Sequence, residues 1–211
     1  HGPVGAPYIL TGSSRAALAA VGANWFGHPA ESMKITGITG TNGKTTSTYL
    51  LKTVLERCLG ARVGLIGTIC NMIGSEELET ERTTPESFEV QALLAQMRDA
   101  GCTHVVMEVS SHALLLNRVD CIPFAVGVFT NLTEDHLDFH KTMEAYAEAK
   151  ALLFTRCKES VLNLDDEWVD RMREKVNGPL LTYAVKNAAD LTARDIQLES
   201  DHVTFTAACG G

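Results

Sequence analysis

Gly37, Gly40 and Gly43, followed by Lys44, Thr45 and Thr46, lie in ITGITGTNGKTTSTYLL, between an apolar run and a helix-forming one. Glycine-rich backbone turns sharply and points N–H groups inward at a helix N-terminus, an arrangement that suits a polyphosphate. In such a loop the lysine reaches the terminal phosphates and the following threonine hydroxyl joins the shell of a Mg²⁺ ion. Gly40, Thr41, Asn42, Gly43, Lys44, Thr45 and Thr46 therefore form a candidate nucleotide-binding P-loop, with ATP the first ligand to expect. The general pattern wants glycine five residues before Gly43, where Ile38 stands. The bland alternative is a strand–helix turn with a solvent lysine, which the Gly-Lys-Thr-Thr run at the helix start makes hard to hold.

A phosphate loop needs an acid for its metal. HVVMEVSSH offers Glu108 inside a run that otherwise reads as buried strand. An ionised carboxylate there is costly without a cation, so either a metal or a structural lysine or arginine must accompany it. NLTEDHLDFH places His136 and His140 at i, i+4 spacing. Alone, this fits a zinc pair or a helix cap at Thr133 or Asp135 beside a solvent histidine; no cysteine lies close, and the Glu that follows the first His in metalloprotease helices is missing. EAYAEAKALLF puts Lys150 in an apolar helix, which by periodicity alone reads as a snorkelling surface lysine.

The elements that must position these residues follow from the apolar pattern. Strand-like runs are Lys34–Thr39, Arg62–Ile69, His104–Val109, Ala125–Thr130, Ser160–Leu164 and Leu180–Ala184. Helix-like runs alternate with them: Lys44–Cys58, Glu86–Ala100, Met143–Phe154 and Glu167–Lys175, the second punctuated by Pro85 before it and Gly101 after it. Alternation of this kind predicts an α/β fold, a mostly parallel sheet with helices on both faces and the phosphate loop at a strand's carboxyl end. Near the C-terminal end, Ile196 and Leu198 with Val203 and Phe205 flank ESD and predict an antiparallel hairpin at the sheet edge. SSRAALAAVGANWFGHPAE reads as an amphipathic helix and turn, the remnant of an upstream domain.

The 211 residues carry a formal charge of −8 and no basic stripe, which argues against a nucleic-acid partner. Cys58, Cys70, Cys102, Cys121, Cys157 and Cys209 show no C-x-x-C pair, a pattern of reduced, cytoplasmic thiols. No apolar run approaches the ~18 residues of a membrane helix. His1 rather than Met opens the chain, so it is not expected to be the native start.

GITGTNGKTT, TTPES, MEVSSHALLLNRV, VFTNLTEDHLDFH, YAEAKALLF and VLNLDD stand in the order and spacing seen in Mur ligases. The chain resembles that family from about residue 8 onward, above all its UDP-N-acetylmuramoyl-tripeptide synthetase (MurE-type) branch. In that family Ile38 is normal, because its loop is written G-x-x-G-T-x-G-K-T. The resemblance implies that Thr45 and Glu108 serve the Mg²⁺ of ATP. It assigns a second Mg²⁺ to His136 and to Lys150, the latter carbamylated. Thr83, Thr84, Ser110 and Arg118 match positions that bind UDP-MurNAc-dipeptide, while Leu116 replaces a residue that is often Gln.

The activity implied is ATP-dependent ligation. The γ-phosphoryl group passes to the D-Glu side-chain carboxylate, and the amine of a diamino acid attacks the acyl phosphate. Lys44, Glu108, His136 and Lys150 would be its catalytic set. meso-Diaminopimelate is the favoured amine as the commoner choice, with L-lysine the alternative. By the same resemblance, residues 1–32 are the tail of an upstream domain and linker. Residues 33–211 are a central domain truncated at its C-terminal end and expected to be inactive alone. Another ligase of the Mur and folylpolyglutamate synthase superfamily, or a nucleotide-binding module without catalysis, are the other readings.

Overall fold

Short apolar or alternating runs, broken by glycines and polar turns, become strands, and the longer amphipathic runs become helices. A computed structural model of the chain describes residues 9–210; the part of the 1–32 segment before residue 9, and Gly211, lie outside the described residues. In chain order the elements are α1 (Ser14–Trp25), β1 (Lys34–Thr39), α2 (Lys44–Leu59), β2 (Val63–Ile66), β3 (Asn71–Ile73), β4 (Glu76–Leu78) and α3 (Ser87–Asp99). Then come β5 (His104–Glu108), α4 (Ser111–Leu115), β6 (Phe124–Phe129), α5 (Leu137–His140) and α6 (Met143–Ala151). The chain continues through β7 (Cys157–Asn163), α7 (Val169–Arg173), β8 (Leu180–Ala184), β9 (Leu191–Leu198) and β10 (Val203–Cys209).

The strands form one sheet in the order β10-β9-β8-β7-β6-β1-β5-β2-β3-β4. From β8 to β2 every neighbouring pair is parallel. The expected edge hairpin is present as β9–β10, antiparallel and with Val203 opposite Leu198. The opposite edge carries a second antiparallel hairpin, β3–β4, absent from the sequence expectation.

Strand order also sorts the helices. The chain winds one way from β1 to β2 and the other way from β2 through β5, β6 and β7, and right-handed crossovers then put the helices on opposite faces. Leu51 and Leu55 of α2 accordingly pack with Ile38, Val63, Val106 and Val128. Ile35, Val105 and Met107 belong to the other face, with Val90, Leu94 and Met97 of α3, Tyr146 and Ala147 of α6, and Met172 of α7. Strand side chains alternate, so Glu108 shares a face with Val106 and meets the start of α2. The connections leaving the neighbouring strands β1 and β5 run in opposite directions, and ligands of open α/β sheets bind beyond the carboxyl ends of strands at such a point.

Several boundaries differ from the sequence reading, and β7 begins at Cys157 rather than Ser160. β2 stops at Ile66, because Gly67 N turns to Asn71 Oδ1 and Thr68 N to the Glu108 carboxylate. α6 ends at Ala151 and tightens into a 3-10 turn over Leu152–Thr155. α7 starts only at Val169, after Asp166 Oδ1 accepts the Trp168 N–H at 2.9 Å. The helix expected near the front is α1, and it packs on α3: Ala19, Gly22 and Ala23 are buried, and the Phe26 and Phe88 rings lie 5.2 Å apart. Among the described residues no helix is long and apolar enough to cross a membrane.

Leu94 is completely buried under the sheet, whereas Leu50 on α2 is 63% exposed. Leu94→Ala is expected to cost about 2–5 kcal/mol of unfolding free energy through lost burial and a residual cavity. Leu50→Ala stays within about 0.5 kcal/mol. Urea unfolding of both variants checks the pair, and equal costs would refute this placement of the core.

Candidate active site at the carboxyl ends of β1, β5 and β6

The loop between β1 and α2 depends on two glycines. Gly40 has φ +145° and Gly43 φ +82°, conformations that L side chains rarely adopt. At Gly40 the space is also closed, since a Cβ would overlap Thr130 Oγ1 and lie 3.0 Å from Asn131 O. The segment that closes it, Thr130–Thr133, follows β6 and braces the loop. Thr41 N donates to Asn131 O at 2.8 Å, Asn42 N to Asn131 Oδ1 at 3.0 Å, and Thr130 Oγ1 to Asn42 O at 2.8 Å. Thr133 N donates to Thr41 Oγ1 at 3.0 Å. Gly40→Ala is therefore expected to weaken nucleotide binding by on the order of 10²-fold, as strain and overlap displace the loop. Titration with a fluorescent ATP analogue checks this; wild-type affinity would show that the loop tolerates a side chain.

Lys44 opens α2, and its Nζ donates to Gly40 O and Thr41 O, both at 2.8 Å. Burial lowers its pKa, while Glu108 and Asp135 oppose the shift. Thr45 Oγ1 lies 3.0 Å from each Glu108 oxygen. Glu108 is fully buried, and its carboxylate takes two more hydrogen bonds, from Thr68 N at 2.8 Å and Thr68 Oγ1 at 3.0 Å. Among the described residues no lysine, arginine or histidine forms an ion pair with it. Thr46 is exposed on the first turn of α2.

Lys150 is 1% exposed, so the snorkelling alternative fails. Its Nζ donates to Gly40 O at 2.8 Å, the carbonyl that Lys44 also uses, and lies 4.5 Å from the Tyr146 ring centre. Burial first, and the Lys44 charge second, push its pKa well below the ordinary lysine value. His136 is exposed, with φ +52° and Nε2 3.5 Å from Asp135 Oδ2, and its ring lies 6.3 Å from that of Tyr146. The Tyr146 hydroxyl is 3.4 Å from Thr41 Oγ1, so one aromatic ring connects the phosphate loop, Lys150 and His136.

His140 does not pair with His136 as a metal couple. It is buried, with Nε2 2.8 Å from Ser111 Oγ, and burial together with His112, Lys150 and His136 lowers its pKa to about 4. Among the described residues no group of three or more His, Cys, Asp or Glu converges on a metal position. The cap alternative fails as well, because α5 is a single turn without a side-chain cap.

A polar run connects this centre to the remaining candidates. Thr68 Oγ1, whose proton goes to Glu108, lies 3.1 Å from Thr83 Oγ1 and can accept from it; Thr84 Oγ1 donates to Glu108 O at 2.9 Å, and Ser110 N to Thr84 Oγ1 at 3.2 Å. Arg118 Nη1 reaches Thr84 O at 3.2 Å. Thr83, Thr84, Ser110 and Arg118 thus line one flank of Glu108, and the phosphate loop lines the other. Sequence reasoning missed Thr68, Asn131 and Tyr146. Thr68 and Asn131 carry no residue-type signal beyond a polar turn, and Tyr146 reads as an ordinary core aromatic.

The Mur ligase middle domain family model matches residues 38–209. The chain is 48% identical to the UDP-N-acetylmuramoyl-L-alanyl-D-glutamate–2,6-diaminopimelate ligase of Clostridium botulinum over 197 residues, 93% of this chain and 41% of that protein. It is 47% identical to the Clostridium tetani ligase of the same name over 199 residues, 94% of this chain and 41% of that protein. A solved structure of a ligase so named superposes with TM-score 0.81 at 31% identity, covering 91% of this chain and 41% of that one. A Mycobacterium tuberculosis folylpolyglutamate synthase shares the fold at 16% identity, with TM-score 0.72 over 91% of this chain and 51% of that one. The chain therefore spans about 41% of the length of the curated relatives it matches.

Proposed function

From the premise that this chain belongs to the Mur ligase family, we propose that it is the central domain of an ATP-dependent amide ligase acting on UDP-MurNAc-L-Ala-D-Glu. The observation that carries this reading is Glu108: a fully buried carboxylate held only by hydroxyl and backbone donors, at the foot of a phosphate loop and beside Thr84. With no ion pair to a described lysine, arginine or histidine, this carboxylate has oxygen lone pairs that a hard metal ion would suit. Residues 33–211 constitute the central domain in this reading, and 1–32 the end of an upstream one.

The residues fit the expected groups. Gly40–Thr46 would hold the ATP phosphates, Thr45 and Glu108 one Mg²⁺, and His136 with carbamylated Lys150 a second. When bound, the two ions neutralise charge as the triphosphate and the acceptor carboxylate approach each other. The protein's part is to position and to balance charge. Lys44 meets the terminal phosphates, while Thr83, Thr84, Ser110 and Arg118 hold the acceptor so that its D-Glu carboxylate lies in line with the γ-phosphate. The amine of the incoming diamino acid then displaces phosphate from the acyl phosphate, and no protein nucleophile takes part. meso-Diaminopimelate is the proposed amine, supported by the names of relatives 40–49% identical; L-lysine is the alternative to test. Cysteines without partners and a nucleotide-linked acceptor support a cytoplasmic setting for peptidoglycan synthesis.

The test is to incubate the full-length protein with ATP, Mg²⁺, the UDP-MurNAc-dipeptide and either diamino acid, and to weigh the product. Tripeptide with meso-diaminopimelate supports the reading, and no product with either amine overturns it. The 211 residues alone are expected to give none, because holding reactants together contributes roughly 7–11 kcal/mol and most of a relative's length is not in this chain.

A further inference from the structure

Glu86, the acid of TTPES, has no part in the reaction outlined above, yet three guanidinium groups converge on it. Arg118 Nη2 lies 2.7 Å from Oε1, Arg82 Nη1 3.4 Å from the same oxygen, and Arg15 Nη1 3.2 Å from Oε2. The three come from separate parts of the chain: α1, the loop before α3, and the turn after α4. The three guanidinium groups share this one carboxylate beside the flank of Glu108, with the Glu89 carboxylate next to it at the start of α3.

Glu86 also N-caps α3 in a capping box with Glu89, a role that requires none of the three guanidinium groups. The Arg15 and Arg82 side chains are about half exposed, and ion pairs of that kind contribute little. Arg118 differs. Its side chain is 15% exposed, its Nη1 is fixed on Thr84 O, and its Nε is buried with no partner. A buried donor without an acceptor is unfavourable until one arrives, and a planar guanidinium is shaped to receive an oxyanion. Glu86 is itself fixed at the entry to α3, where Glu89 Oε2 accepts its backbone N–H at 3.0 Å.

We propose that Glu86 is a positioning residue: it holds Arg118 against Thr84 and gathers Arg15 and Arg82 into one clamp that receives an oxyanion of the acceptor substrate. Through Arg15 the clamp also reaches α1, which apolar packing already holds against α3, so the segment leading into the domain lies beside the site. This inference rests on the acceptor proposed above, whose oxyanions are its peptide carboxylates and its diphosphate.

Glu86→Gln in the full-length protein is expected to raise KM for UDP-MurNAc-dipeptide about tenfold, the scale of a hydrogen bond to a charged group. KM for ATP and kcat should stay within about twofold, since the phosphate loop is untouched. Glu86→Asp should recover part of the loss, and Arg15→Ala should raise only the acceptor KM. Inhibition by MurNAc-dipeptide lacking the nucleotide identifies the oxyanion: an equal loss of its affinity in Glu86→Gln assigns a carboxylate, and no loss assigns the diphosphate. An unchanged acceptor KM, or equal loss across both substrates and kcat as a loosened α3 would give, overturns the proposal. Crystal structures of wild type and Glu86→Gln give a reading independent of activity, since an Arg118 guanidinium that stays in place refutes the positioning role. If the wild type neither binds nor ligates the acceptor, the substrate reading falls instead, and with it the oxyanion assignment.

Discussion

Replacing Lys44 with alanine in the full-length protein is expected to lower the proposed tripeptide formation by on the order of 10²-fold or more, because one preorganised charge facing a transferring phosphoryl group contributes several kcal/mol. The ammonium is already aimed: its Nζ sits between the Gly40 and Thr41 carbonyls at the mouth of the loop. The fold should survive the change, since what is lost is two hydrogen bonds from a half-buried chain end to loop carbonyls. The pH dependence has a definite sign. Burial lowers the Lys44 pKa from 10.5, so the charge is lost, and activity with it, at a lower pH than an exposed lysine would give. Steady-state tripeptide assays across alkaline pH, alongside melting curves, read both effects. A Lys44→Ala enzyme with near-normal turnover removes the loop from the mechanism.

How much of this arrangement was legible depends on the range of the interactions. β1, α2 and β8 declared themselves through local pattern, and Glu108 through a local contradiction, an acid in an apolar strand. The β3–β4 hairpin did not, because two three-residue strands around Gly74 are too short for any period to register. α5 is one turn and fails for the same reason. Lys150 is the sharpest case. Its apolar neighbours fit a snorkelling side chain as well as a buried one, and only the contact to Gly40, 110 residues away, decides between them. Periodicity carries no information at that separation. Resemblance to a family did, because it records which distant residues meet. The same limit hid Thr68 and Asn131, whose partners lie 40 and 89 residues away.

Lys150→Met separates stability from activity, and the two are expected to move in opposite directions. An unmodified ammonium at this position is buried, faces Lys44 and has no carboxylate partner among the described residues. Its folded pKa lies below the unfolded value. Between the two the unfolded chain holds more protons, so stability rises with pH across that window, and below it the full cost of burying the charge is present. Methionine of similar length removes the cost, and Gly40 O keeps its bond from Lys44. Unfolding free energy at neutral pH should therefore hold or increase, and its alkaline rise should flatten. Ligation should fall by on the order of 10²-fold, if the amine is the site of a carbamate whose charge balances Lys44 and a metal ion. The lowered pKa favours that chemistry, because only the neutral amine attacks CO₂: the ammonium first gives up one proton, the amine nitrogen then bonds the CO₂ carbon as a second proton leaves, and the buried cation becomes a carbamate anion. Urea titrations from pH 7 to 10 under CO₂-free buffer, paired with tripeptide assays with and without added bicarbonate, measure both halves. A Lys150→Met enzyme that still ligates would leave Lys150 a structural residue, and one that fails to fold would show that its hydrogen bond to Gly40 outweighs the burial of its charge.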